Sequence, residues 1–198
     1  MRRILVTGAS TWTGGQVVAS LERRPDTEVF GVDELPPRGQ FASPFIMIGD
    51  DRTALADHVL QIEPDTVVHL LTADRSAYLG TNEAHDRAVL GNLALFGAAG
   101  RSEAVRRVVV KSDAAVYPLG PRSPSLFGES DSNREKASRF GRSMLDVELA
   151  ADALLARRPD IAISVLRMAP IFGRTVDNPL SRYLRLPVVP TLLGFDPR

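Results

Sequence analysis

Short apolar runs alternate along the chain with longer segments in which apolar residues recur every three or four positions. The short runs are typical of buried β-strands, and the longer segments are typical of amphipathic helices. The fourth run, DTVVHLLT, is almost continuously apolar, as expected of a parallel strand covered on both faces. The predicted strands are residues 4–6, 28–33, 44–51, 65–72, 105–118 and 161–168, and the predicted helices are residues 16–24, 52–62, 82–99 and 134–158.

This alternation predicts an α/β fold. Six strands joined by helices favour a doubly wound parallel sheet of the Rossmann type, with helices on both faces and the strand order 3-2-1-4-5-6. In such a sheet a ligand lies across the carboxyl ends of the strands, in the crevice between strands 1 and 4. The residues that end strands on this edge are predicted to converge there, and they include Gly8, Asp33, Asp50, Thr72 and Ser112.

The stretch ILVTGASTWTGG, residues 4–15, carries the first candidate chemistry. Gly8 would form a turn after the first strand, Gly14 would let the next helix pack on that strand, and the free N–H groups at the helix start would point at a pyrophosphate. Thr11 stands where such a turn normally has glycine; its Cβ narrows the approach, while its hydroxyl would donate to a phosphate oxygen. These residues alone leave two interpretations open, a phosphate cradle and an ordinary strand-to-helix turn.

Asp33 ends the second predicted strand, EVFGVD. In dinucleotide-binding folds a carboxylate near this position accepts hydrogen bonds from both hydroxyls of the adenosine ribose and repels a 2′-phosphate. Asp33 therefore favours NAD over NADP, unless Arg38 reaches the ribose. The alternative is a solvated aspartate at a strand end. His69, inside the fourth strand, is interpreted as a core residue with one hydrogen bond.

Composition narrows the class of protein. The 198 residues include 24 basic and 24 acidic side chains, so no basic excess favours nucleic acid or an anionic membrane as a partner. The absence of cysteine excludes disulfides, thiolate metal sites and a cysteine nucleophile. No apolar run approaches the roughly 20 residues that span a bilayer. We expect one well-buried, cytoplasmic domain that binds no metal.

Taken together, six segments resemble the extended short-chain dehydrogenases/reductases, the NAD-dependent epimerase/dehydratase family that acts on nucleotide sugars. The segments are VTGASTWTGG, VD at 32–33, GDD at 49–51, VVHLLT, VVVKSDAAVYP and VLRMAPIFG. The resemblance implies NAD as cofactor and a nucleotide-sugar-like small molecule as a further partner. The implied cofactor residues are Gly8, Thr11, Trp12 and Gly14 at the pyrophosphate, Asp33 at the ribose, Asp50 at the adenine amine, and Leu70, Leu71 and Thr72 along the middle of the cofactor.

The resemblance fails at the family's catalytic residues. That chemistry uses a serine or threonine after strand 5 and a tyrosine four residues before a lysine on the next helix, where the ammonium lowers the phenol pKa. The three positions fall on Asp113, Phe140 and Met144, which lack the required groups. The absence does not depend on alignment, because no tyrosine of the chain precedes a lysine by four residues. The tyrosines are Tyr78, Tyr117 and Tyr183.

Three functions remain open. The first is a protein that binds NAD and has lost the standard Ser-Tyr-Lys chemistry, acting as a cofactor-sensing or interaction module. The second is a working oxidoreductase, epimerase or dehydratase that draws a rearranged acid/base set from Ser112, Asp113 and Tyr117. In the alternative interpretation these three residues have structural roles only: Ser112 bonds to backbone, Asp113 caps a turn and Tyr117 packs under the following loop. The third function is a scaffold that binds no nucleotide because Thr11 blocks the turn.

The end of the chain is the second departure from the family. Residues 1–170 are predicted to form the NAD(P)-binding domain, and residues 171–198 are the start of a truncated or reduced substrate-binding region. Residues 118–133 are rich in proline, glycine and serine and are predicted to form a surface loop near the mouth of the site. Residues 180–193 would leave apolar surface that favours a partner subunit, so we expect a homo-oligomer.

Overall fold

The computed structural model describes residues 1–73, 82–118, 123–124, 126–176 and 179–188. Its strands are β1 (Arg2–Thr7), β2 (Thr27–Asp33), β3 (Phe45–Met47), β4 (Thr66–His69), β5 (Arg107–Asp113) and β6 (Ala162–Met168). Its α-helices are α1 (Trp12–Glu22), α2 (Leu55–Ile62), α3 (Asn82–Arg101), α4 (Arg139–Arg157) and α5 (Pro179–Leu184). Short 3₁₀ turns cover Arg52–Ala54, Ala114–Val116 and Glu129–Asp131.

The six strands form one sheet in the order β3-β2-β1-β4-β5-β6, and every neighbouring pair is parallel. The predicted fold class and strand order are therefore confirmed. The register places Thr7 of β1 opposite Val32 of β2 on one side and His69 of β4 on the other. Because the strands are parallel, their carboxyl ends share one edge of the sheet, which we call the ligand edge.

Two apolar clusters hold the sheet between its helices. Side chains of a strand alternate between the two faces, so neighbouring residues of β1 belong to different clusters. Leu5 belongs to the larger cluster, together with residues of α2, α3 and α4, whereas Ile4 and Val6 belong to the smaller cluster beneath α1. The positions of α1, α2, α3 and α4 on the sheet follow from this packing.

Several predicted boundaries need correction. The fourth helix starts at Arg139 and not at residue 134, because the Ser138 hydroxyl caps it by accepting a hydrogen bond from the Gly141 amide (3.0 Å). The first helix starts before the paired glycines, at Trp12. The strand predicted for residues 65–72 ends at His69, and the one predicted for residues 44–51 keeps only Phe45–Met47.

The segment for which apolar surface was predicted lies partly within the structure. Leu184, Leu186 and Val188 are exposed, whereas residues 189–193 lie outside the described part. The exposure agrees with an apolar patch, but nothing in the structure tests self-association, which stays a prediction. Among the described residues, no helix is long and apolar enough to cross a membrane.

The contact between α1 and the β1 turn generates the first testable prediction. A Cβ added at Gly14 would lie 2.0 Å from the Gly8 carbonyl oxygen, so Gly14→Ala forces the helix away from the strand. We expect a loss of about 2 kcal/mol or more in the free energy of unfolding, measured by urea denaturation.

Gly15→Ala is the matched control, because a Cβ there meets no atom closer than 3.8 Å. Alanine is the better helix former, so this variant should be neutral or more stable by up to about 1 kcal/mol. Equal losses for the two variants would show that the close contact at Gly14 is unimportant.

Candidate functional site

The ligand edge brings together the turn after β1 and the ends of β2 and β4. Gly8 adopts a φ of +73°, in the left-handed region that favours glycine. A Cβ at Gly8 would also lie 3.0 Å from the Leu70 carbonyl carbon and the Leu71 amide nitrogen. Glycine is thus required at this position for two reasons: the positive φ of the turn and the close approach of the residues after β4.

Thr11 forms the N-cap of α1. Its hydroxyl donates to the Gly8 carbonyl (2.7 Å) and accepts from the Gly14 amide (3.0 Å). Its φ of −69° and ψ of 159° suit any residue, so threonine causes no backbone strain where family members have glycine. The expected donation from this hydroxyl to a phosphate is therefore corrected: its proton is engaged with the Gly8 carbonyl. The side chain is exposed and does not fill the turn.

The start of α1 presents backbone donors to the ligand edge. Within the described part of the chain, the amides of Trp12 and Thr13 have no hydrogen-bond acceptor. The first amides of a helix lack partners inside the helix, and the helix dipole favours negative charge beside them. Together with the close packing at Gly14, these amides give the start of α1 the unpaired donors that a diphosphate site requires.

Asp33 lies next to the turn that leads into α1 and is 3% exposed. Its Oδ2 accepts hydrogen bonds from the Ser10 amide (2.7 Å) and the Ser10 hydroxyl (2.5 Å), and its Oδ1 accepts one from the Glu34 amide (2.7 Å). These three bonds fix the direction of the carboxylate. The contact of Ser10 with Asp33 was not predicted from the sequence, because a turn sequence does not show which hydroxyl faces a distant carboxylate.

The remaining implied cofactor residues differ in setting. The Asp50 side chain is 95% exposed and pairs with Arg87 of α3 (2.9 Å). Leu70 packs in the cluster beneath α1, while Leu71 packs in the larger cluster on the other face. The hydroxyl of Thr72 is buried and has no hydrogen-bond partner among the described residues. The residues after β4 are therefore buried, the two leucines in the two apolar clusters, and the Thr72 hydroxyl is left unsatisfied.

A buried series of hydrogen bonds lies next to these residues. The Thr7 hydroxyl contacts His69 Nδ1 (2.7 Å), and His69 Nε2 contacts the Asn92 side-chain oxygen (2.7 Å). Because the Thr7 oxygen also accepts from the amides of Leu70 and Leu71, its proton goes to Nδ1 and the ring carries hydrogen on Nε2. Burial lowers the pKa of His69 from 6.5 to about 4, so the ring is neutral. The structural interpretation of His69 is confirmed, with two hydrogen bonds instead of one.

The three candidate substitutes for the catalytic residues are held by other groups. The buried Ser112 hydroxyl donates to Glu148 (2.5 Å), not to backbone. Asp113 caps the turn Ala114–Val116 by accepting from the Ala115 amide (2.8 Å). The Tyr117 ring stacks on Phe127 at 5.1 Å between centroids.

Glu148 and Arg167 join these groups into a network that the sequence did not reveal. Arg167 of β6 donates to both oxygens of Glu148 on α4 (3.0 and 2.8 Å), to the Tyr117 hydroxyl (3.0 Å) and to the Glu129 carbonyl. The Glu148 side chain raises the pKa of the Arg167 guanidinium. The sequence did contain a sign that Glu148 is paired. Glu148 follows Met144 by one helical turn on the buried face, where a carboxylate needs a partner.

Phe140 and Met144 are the residues to which the resemblance assigns the family's tyrosine and lysine positions. Met144 is 1% exposed inside the larger cluster, and Phe140 packs against that cluster. Both side chains agree with the interpretation as helix core. Beside them, the Ser143 hydroxyl contacts His85 Nδ1 of α3 at 3.1 Å.

Comparison with known proteins agrees with this architecture. The sequence matches the model of the NAD dependent epimerase/dehydratase family over residues 4–186. It is 37% identical over 203 residues to the uncharacterized proteins Rv0501 of Mycobacterium tuberculosis and Mb0513 of Mycobacterium bovis, covering 98% of this chain. The chain spans 54% of the length of these mycobacterial relatives.

Solved structures show the same fold. MoeE5, in complex with UDP-glucuronic acid and NAD, is 29% identical with a TM-score of 0.70, covering 92% of this chain and 60% of MoeE5. The enzyme WbmH of Bordetella bronchiseptica, in complex with NAD+, is 19% identical with a TM-score of 0.72, covering 92% of this chain and 61% of WbmH.

The buried imidazole of His69 makes stability depend on pH. The folded state keeps His69 neutral down to a pKa of about 4, while the unfolded chain takes up a proton near 6.5. The contribution of His69 to the free energy of unfolding is thus fully present above pH 6.5. It is lost as the pH drops towards 4, by about 3 kcal/mol. Urea denaturation at pH 7.5 and 5 should show the loss. The His69→Gln variant should show a smaller one, and an equal loss in both proteins would contradict this origin.

Proposed function

The chain belongs to the NAD dependent epimerase/dehydratase family, and we propose that it binds NAD at the ligand edge while lacking the family's standard Ser-Tyr-Lys chemistry. When bound, the cofactor supplies a nicotinamide ring that accepts or donates hydride. The residues of this chain hold that cofactor. In this proposal the protein serves as a cofactor-sensing or interaction module.

The start of α1 beside Asp33 carries the proposal. The amides of Trp12 and Thr13, which have no acceptor among the described residues, would donate hydrogen bonds to the diphosphate, since a helix N-terminus favours an anion. Asp33 would accept the ribose hydroxyls with a carboxylate already oriented by Ser10. The start of α1 follows β1, and Asp33 ends the adjacent strand β2, as the two halves of an adenosine diphosphate require.

NAD is favoured over NADP for an electrostatic reason. A 2′-phosphate would lie against the Asp33 carboxylate, which is buried and has no cation among its hydrogen-bond partners. Arg38, the residue considered as a phosphate partner, is exposed in the segment after β2. MoeE5, at 29% identity, was solved with NAD and a UDP sugar, which supports NAD here and suggests a nucleotide-sugar-like molecule as the second ligand.

Loss of proton transfer follows from the side chains at the catalytic positions. Phe140 has no proton to exchange, and Met144 has no charge to lower the pKa of a phenol. Positioned proton transfer is worth about 10²- to 10⁴-fold in rate. A working enzyme built on Ser112, Asp113 and Tyr117 is less favoured, because each of these groups already has a structural partner.

A scaffold that binds no nucleotide is also less favoured. Its premise was that Thr11 obstructs the turn, but the exposed Thr11 side chain caps α1 and leaves two amides open. Asp33 would then have no ligand to justify a carboxylate aimed by Ser10. Titration with NAD separates the two functions directly.

Asp33→Ala tests the ribose contact. We expect calorimetry to show NAD binding by the unchanged protein and a weakening of about tenfold or more in the variant, because a charged acceptor of two hydroxyls is lost. Asp26→Ala is the control, since this exposed aspartate precedes β2 at the opposite edge of the sheet. Absence of NAD binding at millimolar concentration would refute the proposed function.

The catalytic part of the proposal has its own test. Incubation with NAD and a panel of UDP sugars should give neither a change in nicotinamide absorbance nor a new sugar isomer by NMR. Turnover that disappears in Asp113→Ala would instead support the rearranged enzyme. Turnover that survives in that variant would refute both the loss of chemistry and the substitute set.

A further inference from the structure

Glu34 directly follows Asp33 and forms a bidentate ion pair with Arg52 at the ligand edge. Its Oε1 accepts from Arg52 Nε (2.6 Å), and its Oε2 accepts from Arg52 Nη2 (2.9 Å). The side chains are 21% and 11% exposed, respectively. Paired donors facing paired oxygens give such a contact a fixed geometry, unlike most surface ion pairs.

The position of Arg52 is fixed on its other sides as well. It opens the 3₁₀ turn that follows β3, and it packs so closely against Gly91 of α3 that a Cβ there would lie 2.5 Å from the Arg52 Cβ. Its Nη1 is buried and has no hydrogen-bond partner among the described residues. Arg52 is therefore a confined cation whose charge is balanced by Glu34.

We propose that Glu34 is a second determinant of cofactor choice, which keeps Arg52 from serving a 2′-phosphate. This inference rests on the proposed binding of NAD. A 2′-phosphate is accommodated where an arginine near the ribose carboxylate is free to pair with it. Here Glu34 occupies the Nε and Nη2 donors of Arg52 and adds a second carboxylate next to Asp33.

The charges at this corner explain the direction of the effect. With Glu34 ionised, the two carboxylates outnumber the one guanidinium, and a phosphate meets net negative charge. With Glu34 replaced by glutamine, the charges of Asp33 and Arg52 cancel. A phosphate then competes only with a neutral amide for the Nε and Nη2 donors of Arg52. NAD carries no phosphate at the 2′ position, so its affinity depends far less on this balance.

Glu34→Gln is the first test. We expect the ratio of the NADP and NAD dissociation constants, measured by calorimetry, to fall by about tenfold, the order of effect that removal of one charge has on a nearby anion at a protein surface. Glu28→Gln is the matched control: Glu28 lies at the amino end of the same strand, β2, and pairs with Arg3 (3.2 Å). A ratio that moves no more in Glu34→Gln than in Glu28→Gln would overturn the inference.

Arg52→Gln is the second test, and it should move the ratio in the opposite direction. Without the guanidinium, Glu34 faces the phosphate unbalanced, so NADP binding should weaken further relative to NAD. The double variant E34Q/R52Q should lose most of the gain seen in Glu34→Gln, because no cation remains to pair with the phosphate. A gain retained in the double variant would show that Arg52 is not the group that Glu34 restrains.

The outcome is separable from that of the proposed function. Failure of the unchanged protein to bind NAD refutes both statements. Binding of NAD that weakens in Asp33→Ala, with ratios unaffected by Glu34→Gln and Arg52→Gln, refutes only the role of Glu34. Thermal denaturation of each variant shows whether it is folded when the ratio is measured.

Discussion

The contact between Gly14 and the Gly8 carbonyl is the constraint on which the ligand edge depends. No side chain fits between them, so α1 starts directly above the turn that ends β1. That placement brings the amides of Trp12 and Thr13 over the crevice, where the helix dipole favours an anion. Ser10 lies in the same turn, between Gly8 and the start of α1, and donates two hydrogen bonds to Asp33. One close backbone contact thus positions both the donors and the acceptor of the candidate cofactor site.

Thr11 shows how such a turn tolerates the loss of a glycine. The glycine usual at this position leaves space, and it leaves the Gly14 amide without a side-chain partner. Threonine gives that amide an acceptor and ties its own proton to the Gly8 carbonyl. Relative to glycine, a threonine N-cap is worth only about a few tenths of a kcal/mol to a helix. Threonine therefore strengthens the start of α1 slightly, while the amides of Trp12 and Thr13 keep no acceptor among the described residues.

The fold could be predicted from the sequence because it depends on periodicity, and periodicity is visible in one chain. The continuous apolar run through His69 indicated a strand covered on both faces, and the order of the six strands followed from the rules for crossover connections. The start of α4 could have been placed correctly, since Ser138 is a capping residue. The ion pair of Glu148 with Arg167 could not be placed, because pattern assigns a residue to a face and does not say which distant side chain meets it there. The same holds for Glu34 with Arg52.

The polar groups of the ligand edge divide into two sets. On the side of β1 and β2, the amides of Trp12 and Thr13 have no acceptor among the described residues, and the buried Asp33 carboxylate is held in one direction by Ser10 and Glu34. On the side of β5 and β6 they are closed on one another, since Ser112, Glu148, Arg167 and Tyr117 form a continuous hydrogen-bonded set. Proton transfer to a substrate needs a group that can exchange its partner, and this set satisfies its own members first. The contrast between unpaired amides on one side and a self-satisfied set on the other is the structural basis of the proposed function, binding of NAD without the standard proton transfer.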